Sequence, residues 1–374
     1  MNTTDLPDTA APTVAQSTPL HVALIGYGGA GRIFHAPLIS GVPGLQLDAI
    51  VSSQTDAVQK DWPGVRSVAD VQVVLDDPMI DLVVIATPNA SHFGLAQAAL
   101  QAGKHVVVDK PCTVTLAETE ALLALAQTQG RVLTVFQNRR FDSDFLALQQ
   151  VIQSSALGRL VEVNSHFDRY RPTVPVRWRE QNVPGSGLWF DLGPHLLDQA
   201  LVLFGAPDGI HLDRASLRDG AQVNDWFHAV LRYDTRHAGL RVVLHASTLV
   251  AELGPRWAVH GVHGSFTKFG LDGQEDGLKQ GARPGMVPSG EWGQDTQPGE
   301  VLSWKTIPGV AAPVSVRTRV GGVAGNYLAY YAQLRDHLQG RATQALVTPD
   351  QVLAVMQWLT LGEQSALEGR WLSA

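Results

Sequence analysis

Between Gly185 and Gln199 the chain reads GSGLWFDLGPHLLDQ. Asp191 and His195 stand four apart, with Gly193-Pro194 between them marking a helix start. That spacing puts His195 in the first turn of a helix, where the dipole disfavours an imidazolium. A neutral imidazole near physiological pH is suited to general-base work. Asp191, just upstream, can accept from His195 or from a substrate hydroxyl. Asp198, three residues past His195, reads as an N-terminal-turn charge or a packing partner. Histidines near helix starts are also commonly structural, so spacing alone gives His195 no reaction.

A second candidate is Lys110, which follows the apolar run His105–Asp109 and precedes Pro111. A lysine at the carboxyl end of a buried strand points towards the crevice where open parallel sheets bind ligands. The proline after it keeps the Lys110 backbone extended. Cys112 reads as a small packing residue, since no catalytic partners accompany it. A third group is HFDRYRP (residues 166–172) with Arg177-Trp178-Arg179. Arg169, Tyr170 and Trp178 offer guanidinium forks and aromatic faces that suit a polyhydroxylated or anionic ligand. They suit a subunit contact equally well.

These side chains need a frame, and the stretch HVALIGYGGAGR (residues 21–32) supplies its start. Val22 to Ile25 form a short buried strand, and Gly26, Gly28 and Gly31 give the spacing G-x-G-x-x-G before a helix. Gly26 allows a tight turn, Gly28 lets a pyrophosphate approach the backbone, and Gly31 lets helix and strand pack closely. Leu45–Val51 reads as the next strand. An NAD-preferring site places a carboxylate at its end, about 20 residues past the last glycine. Ser52, Ser53 and Gln54 stand there instead, and small hydroxyls can donate to a 2′-phosphate that a carboxylate would repel. Arg32 can approach the same phosphate. NADP is therefore expected in preference to NAD.

Further buried strands read at 81–86, 105–109 and 132–136, with helices at 94–102 and 116–129. Thr87-Pro88-Asn89 closes the first of these strands, and Asn89 or Ser91 can cap the helix that follows. The alternation predicts an α/β Rossmann domain, a doubly wound parallel sheet over residues 20–138. From Asn138 the pattern changes to a helix with apolar Phe141, Phe145, Leu148, Val151 and Ile152, then to strands without helices between them. Residues 139–374 are expected to form an α+β domain with a mostly antiparallel sheet. The strands are placed at 160–167, 227–233, 240–249 and 257–263. Residues 270–309, rich in Gly, Pro and Gln, read as a long excursion with little regular structure. Two helices close the chain, Asn326 to Leu338 and Pro349 to Leu367, the latter opening on a Thr348/Gln351 capping box.

Composition bounds the reading. The chain has 374 residues, 45% hydrophobic and 17% charged, which suits a globular protein of two domains. Its net charge of −7 and the absence of a Lys/Arg cluster argue against nucleic acid as a partner. One cysteine excludes an intramolecular disulfide and a multi-cysteine metal site, and no metal ligand set is expected. Residues 1–19 lack basic and apolar signal regions and read as a flexible tail. No apolar run is long enough to span a membrane. A cytoplasmic enzyme is the simplest expectation.

With these residues assembled, the chain resembles the two-domain glucose–fructose oxidoreductase/inositol dehydrogenase (Gfo/Idh/MocA) family. The resemblance runs from about residue 20 to the C-terminus and rests on GYGGAG, ATPN with His92, DKP and DLGPH. IGYGGAGRIFHAPLI, VFQNRRFDSDF, VNSHFDRYRP, RWREQ and GLWFDLGPHLLDQA look like its NADP-dependent scyllo-inositol dehydrogenase subgroup. The resemblance implies that the second sheet is open and that its exposed face forms a homodimer or homotetramer contact. It implies cofactor contacts at Gly26, Gly28, Gly29, Ala30, Gly31, Arg32, Ser52, Ser53, Thr87, Pro88, Asn89, His92, Asp109 and Lys110. It implies a catalytic set of Lys110, Asp191 and His195, with Arg169, Tyr170 and Trp178 towards a small polyol or sugar substrate. Asp109 departs from the family's usual Glu, and Gln54 stands where some NADP-preferring relatives carry Arg. The alternatives are an aldose or ketose oxidoreductase of the same family and a non-catalytic nucleotide-binding regulator.

Overall fold

The computed structural model describes residues 18–287, 290–306, 308–309, 312–321, 323–343 and 347–374; most of the expected N-terminal tail, residues 1–17, lies outside these. The first half alternates strand and helix. Its elements are β1 (Leu20–Ile25), α1 (Ala36–Ser40), β2 (Leu45–Val51), α2 (Thr55–Asp61), β3 (Arg66–Val68), α3 (Gln72–Leu75), β4 (Leu82–Ile85), α4 (His92–Gln101), β5 (His105–Val108), α5 (Leu116–Thr128) and β6 (Leu133–Val135). A π-helical turn, Gly31–His35, leads directly into α1. All six strands pair parallel in the order β3-β2-β1-β4-β5-β6. The order reverses between β1 and β4, the switch point where such sheets bind ligands.

Strands β1, β4 and β5 are runs of apolar residues because both sheet faces are covered. Successive residues divide between two cores. Val22, Leu24, Val84 and Val107 join one, whereas Ala23, Ile25, Val83, Ile85, Val106 and Val108 join the other. The two-residue repeat of a strand makes that division inevitable.

The second half contains α6 (Ser143–Gln153), β7 (Leu160–His166), α7 (Leu188–Phe204), β8 (Gly209–Ala215), β9 (Trp226–Tyr233), β10 (Leu240–Ser247), β11 (Trp257–Gly261), β12 (Gly264–Lys268), α8 (Gln274–Lys279), β13 (Gly299–Lys305), β14 (Val314–Val320), α9 (Leu328–Leu338) and α10 (Pro349–Glu368). Its eight strands run in the order β14-β13-β12-β11-β7-β10-β9-β8, and only β7 and β10 pair parallel. Burial alternates along β9 and β10, so one face packs on α7 and the other is open. Thr348 and Gln351 form the expected capping box of α10.

Three expectations change. Gly193-Pro194 does not start a helix; α7 begins at Leu188 and carries Pro194 inside it. The earlier start exists because Asn224 accepts from the Leu188 and Trp189 amides. Residues 270–309 hold α8 and β13 among the described residues, because buried polar side chains organise them. The Asp272 carboxylate accepts from the Ser143 and Gln274 amides, and Gln274 bridges Phe141 O and the Tyr327 amide. Strands β3, β8, β12 and β14 were not foreseen; β3 has only three residues, and β12 follows β11 through a two-residue turn.

Trp189 fixes α7 against α10. Its ring is fully buried, and an added Cβ at Gly193 or Gly362 would come within 2.8 or 2.5 Å of it. Its indole N–H donates to Leu359 O at 3.1 Å. Trp189→Ala is expected to lose about 3–5 kcal/mol of stability in urea unfolding. An unchanged midpoint would refute this packing role.

Candidate active site

Gly26 turns the chain at the end of β1 with φ of 100°, and a Cβ there would meet Ala86 O at 2.5 Å. At Gly31 a Cβ would lie 2.0 Å from Gly26 O, so only glycine fits the helix against the turn. Gly28 and Gly29 face open space, with no atom within 4 Å of where a Cβ would sit. Ala30 follows in helical conformation. A cleft of about 540 Å³ opens over this loop, lined also by Tyr27, Arg32, Gln54 and Asp61 and, from the second half, Lys279 and Arg283. The glycine cradle and the cleft fit a dinucleotide.

At the end of β2, the Ser52 hydroxyl accepts from the Gln54 amide at 3.0 Å and closes a turn, and Ser53 is exposed. Arg32 lines the cleft and pairs through its Nε with Asp61 at 2.9 Å. Tyr27 donates to the same Asp61 oxygen, and burial together with that carboxylate pushes its phenol up to about 12. Arg283 lies over the Trp62 ring at 4.0 Å.

The β4 and β5 loops brace each other. Neither Asn89 nor Ser91 caps α4 through its side chain. The Ser91 hydroxyl lies within reach of Thr87 Oγ1 and Pro88 O, and the Asn89 amide donates across the crevice to Gly185 O at 2.7 Å. His92 is fully buried and its ring nitrogens face Thr87 O and Pro111 O, so it positions these loops instead of reaching the cleft. Asp109 accepts from the Lys110 amide. The Lys110–Pro111 peptide is cis. Cys112 is buried, and burial pushes its thiol up to about 12.

Lys110 emerges from this bracing into the crevice. Its ammonium donates to Asp191 O at 2.5 Å and to the Asp191 carboxylate at 3.0 Å. Burial would raise the Asp191 carboxyl, but Lys110, Arg179 and Arg169 together hold it well below the carboxylate range. Arg179 stands 3.6 Å from Asp191 and stacks on Trp178 at 4.8 Å. Arg169 lines the same narrow cavity beside Asp191, and Tyr170 lies outside that cavity, 59% exposed. The structure thus brings Lys110, Asp191 and Arg169 together, with Trp178 acting through Arg179, and leaves Tyr170 aside.

His195 lies one turn beyond Asp191 on α7, well inside the helix. Its Nδ1 is buried without a partner, and Asp191 is taken by Lys110 and Arg179, so the expected Asp191–His195 hydrogen bond is absent. The imidazole is nonetheless held neutral. Burial lowers its pKa most, and the nearby Lys110 and Arg139 cations lower it further. The cause is burial and neighbouring charge, not a helix start. Asp198 is the packing partner, paired through both oxygens to Arg140 at 2.8 and 2.7 Å.

Sequence reasoning did not single out Arg139, and it named Arg179 only within the Arg177-Trp178-Arg179 group. Arg139 is buried, bonded to Tyr327, Asp142 and Glu275. The signal was there for Arg179, inside the RWRE run, but not for its carboxylate partner.

A six-stranded dinucleotide-binding sheet facing a lysine, an aspartate and a neutral histidine defines a nicotinamide-nucleotide oxidoreductase. Residues 20–137 match the oxidoreductase family's NAD-binding Rossmann fold, and residues 149–373 match its C-terminal alpha/beta domain. The chain belongs to this Gfo/Idh/MocA family. It is 49% identical to an uncharacterized oxidoreductase of Escherichia coli, YdgJ, over 94% of this chain and 97% of that one. It is 34% identical to scyllo-inositol 2-dehydrogenase (NADP(+)) IolW of Bacillus subtilis, over 94% and 95%. An oxidoreductase structure from Yersinia pestis superposes with a TM-score of 0.89 at 47% identity, covering 97% of this chain and 99% of that one.

Three buried histidines and one half-buried one, His105, set an acid limit on stability. Burial holds His35 and His105 down to about 4 and lowers His92 and His195. Unfolded, each titrates near its ordinary value of about 6.5. Between those values the unfolded chain binds more protons, so stability is lost as pH falls through that window. The melting temperature is expected to drop between pH 7 and pH 5; a flat or rising profile would contradict the assignment.

Proposed function

We propose that this protein is an NADP-dependent dehydrogenase of a cyclic polyol, with scyllo-inositol or a close stereoisomer as substrate. The observation that carries the reading is the Lys110 ammonium held against Asp191 at the crevice, one helical turn from a neutral, buried His195. The IolW relative, whose name gives this reaction, supports the substrate class. For the cofactor, the support is the absence of a carboxylate at the end of β2 and the cations Lys279 and Arg283 at the cleft. The glycine loop and Thr87-Pro88 would hold the dinucleotide, with Asp109 setting the Lys110 backbone. A nicotinamide held there would supply the hydride acceptor for the substrate carbon.

In this reading His195 takes the hydroxyl proton. A neutral imidazole is ready to do so without first losing a proton. Lys110 donates to the same oxygen and stabilises the charge that develops there as the proton leaves. Asp191 and Arg169 orient the ring hydroxyls, and Arg179 keeps Asp191 ionised and in place. A homodimer or homotetramer formed through the open face of the eight-stranded sheet, in a cytoplasmic setting, completes the proposal. Among the described residues no helix is long and apolar enough to cross a membrane.

Initial rates with scyllo-inositol, myo-inositol and common aldoses, each with NADP and NAD, test the reading. The expected result is preference for a cyclic polyol with NADP; activity confined to aldoses would reassign the substrate. His195→Ala is expected to lower kcat about 100- to 10,000-fold, as loss of a general base does. Near-normal turnover would remove His195 from the chemistry. Lys110→Met should lower kcat while leaving NADPH binding, followed by fluorescence titration, roughly unchanged.

A further inference from the structure

The open face of the second sheet carries a polar cluster that the reaction does not use. Phe227 packs edge-on against Trp189 of α7, so its neighbour His228 points to the opposite side of the sheet. Strand register then aligns three imidazoles. His245 on β10 is paired with His166 on β7 and with His228 on β9, and His228 is paired in turn with Asp213 on β8. The ring centroids of His245 lie 4.9 Å from His166 and 5.7 Å from His228. Asp168, just past β7, places its carboxylate between two of these rings, 3.2 Å from His166 Nδ1 and 3.5 Å from His245 Nε2.

We propose that His166, Asp168 and His245, with His228 beside them, bind a divalent transition-metal ion of the zinc class. The ligand atoms of His166, Asp168 and His245 all lie within 4.8 Å of one another. Zinc held tetrahedrally at about 2.0–2.2 Å from imidazole nitrogen and carboxylate oxygen needs ligand atoms about 3.3–3.6 Å apart, so side-chain rotations would draw the outermost pair in by about 1 Å. Two imidazoles and a carboxylate suit zinc and its neighbours in the first transition row, whereas magnesium and calcium prefer all-oxygen sites. Two atoms of the cluster are unsatisfied. Asp168 Oδ1 and His245 Nδ1 are buried without a hydrogen-bond partner, and the buried Arg256 cation answers only part of the Asp168 charge, leaving that oxygen unpaired. Burial also favours the neutral, ligand-competent form of His228 and His245.

The expectation of no metal ligand set is revised by this cluster, and the reason is structural. The residues are 2, 60 and 77 positions apart when counted from His166 to Asp168, from Asp168 to His228 and from Asp168 to His245. No short spacing joins them, and only the register of three strands does. The site lies across the sheet from Lys110 and His195, so it is independent of the proposed reaction and its test needs no substrate.

The test uses the full chain without an affinity tag, stripped with EDTA and dialysed against ZnCl₂. Bound zinc per chain and the shift in melting temperature are read together. One zinc per chain is expected, with a higher melting temperature in its presence. His166→Ala, Asp168→Asn and His245→Ala should each weaken binding at least about tenfold, a loss typical of removing one metal partner. His166 is one-third exposed at its side chain, so its removal leaves the core filled and keeps the comparison interpretable. Substituting cobalt(II) should give the visible absorption of a four-coordinate site. Absence of bound zinc, or binding undiminished in all three variants, would overturn the proposal.

Discussion

The Lys110 ammonium is the point on which the two halves of the molecule meet. It leaves the parallel sheet at the end of β5 and ends on both the backbone and the carboxylate of Asp191 in α7. A lysine this buried needs an anionic partner, and an aspartate this buried needs a cation. Each half therefore supplies what the other requires. The interaction also sets the spacing of the crevice, because β5 is fixed by parallel neighbours on both sides and α7 by the Asn224 contacts and by Trp189.

Around this pair the charge balance is unusual for a buried region. Arg139, Arg169 and Arg256 all lie about one ring face from Phe167, at 5.1 to 5.2 Å, so cationic groups gather with aromatic rather than wholly acidic partners. Asp142, Asp144, Glu275 and Tyr327 answer part of that charge on the far side. The result at His195 is an imidazole among cations, kept neutral without a hydrogen bond. A site built this way favours an oxygen that gains negative charge during reaction.

Much of the frame was legible because it obeys simple periodicities. Val22–Ile25, Leu82–Ile85 and Val106–Val108 are continuous apolar runs, and only a strand covered on both faces reads that way. The glycine spacing 26, 28 and 31 carried its own physics, since two of those positions admit no Cβ and the third faces open space. The helix containing His195 was misread because Pro194 is a strong helix-start signal. Asn224, distant in sequence, caps the helix earlier and overrides it. Residues 270–309 were misread for a related reason: Asp272 and Gln274 organise that segment by buried hydrogen bonds, and composition scores such residues as loop.

By itself the sequence determined the plan of a dinucleotide-binding parallel sheet followed by a mostly antiparallel one, and it marked Lys110, Asp191 and His195 as the candidates for chemistry. These follow from local patterns, and local patterns are written along the chain. Only the tertiary structure decided how the groups meet. It gave Asp191 to Lys110 and Arg179 rather than to His195, set Arg32 beside Asp61, turned Tyr170 outward and lined up His166, His245 and His228 across three strands. Those outcomes depend on strand register and on helix ends set by partners far along the chain. Distance in space between remote residues has no local signature for a sequence to show.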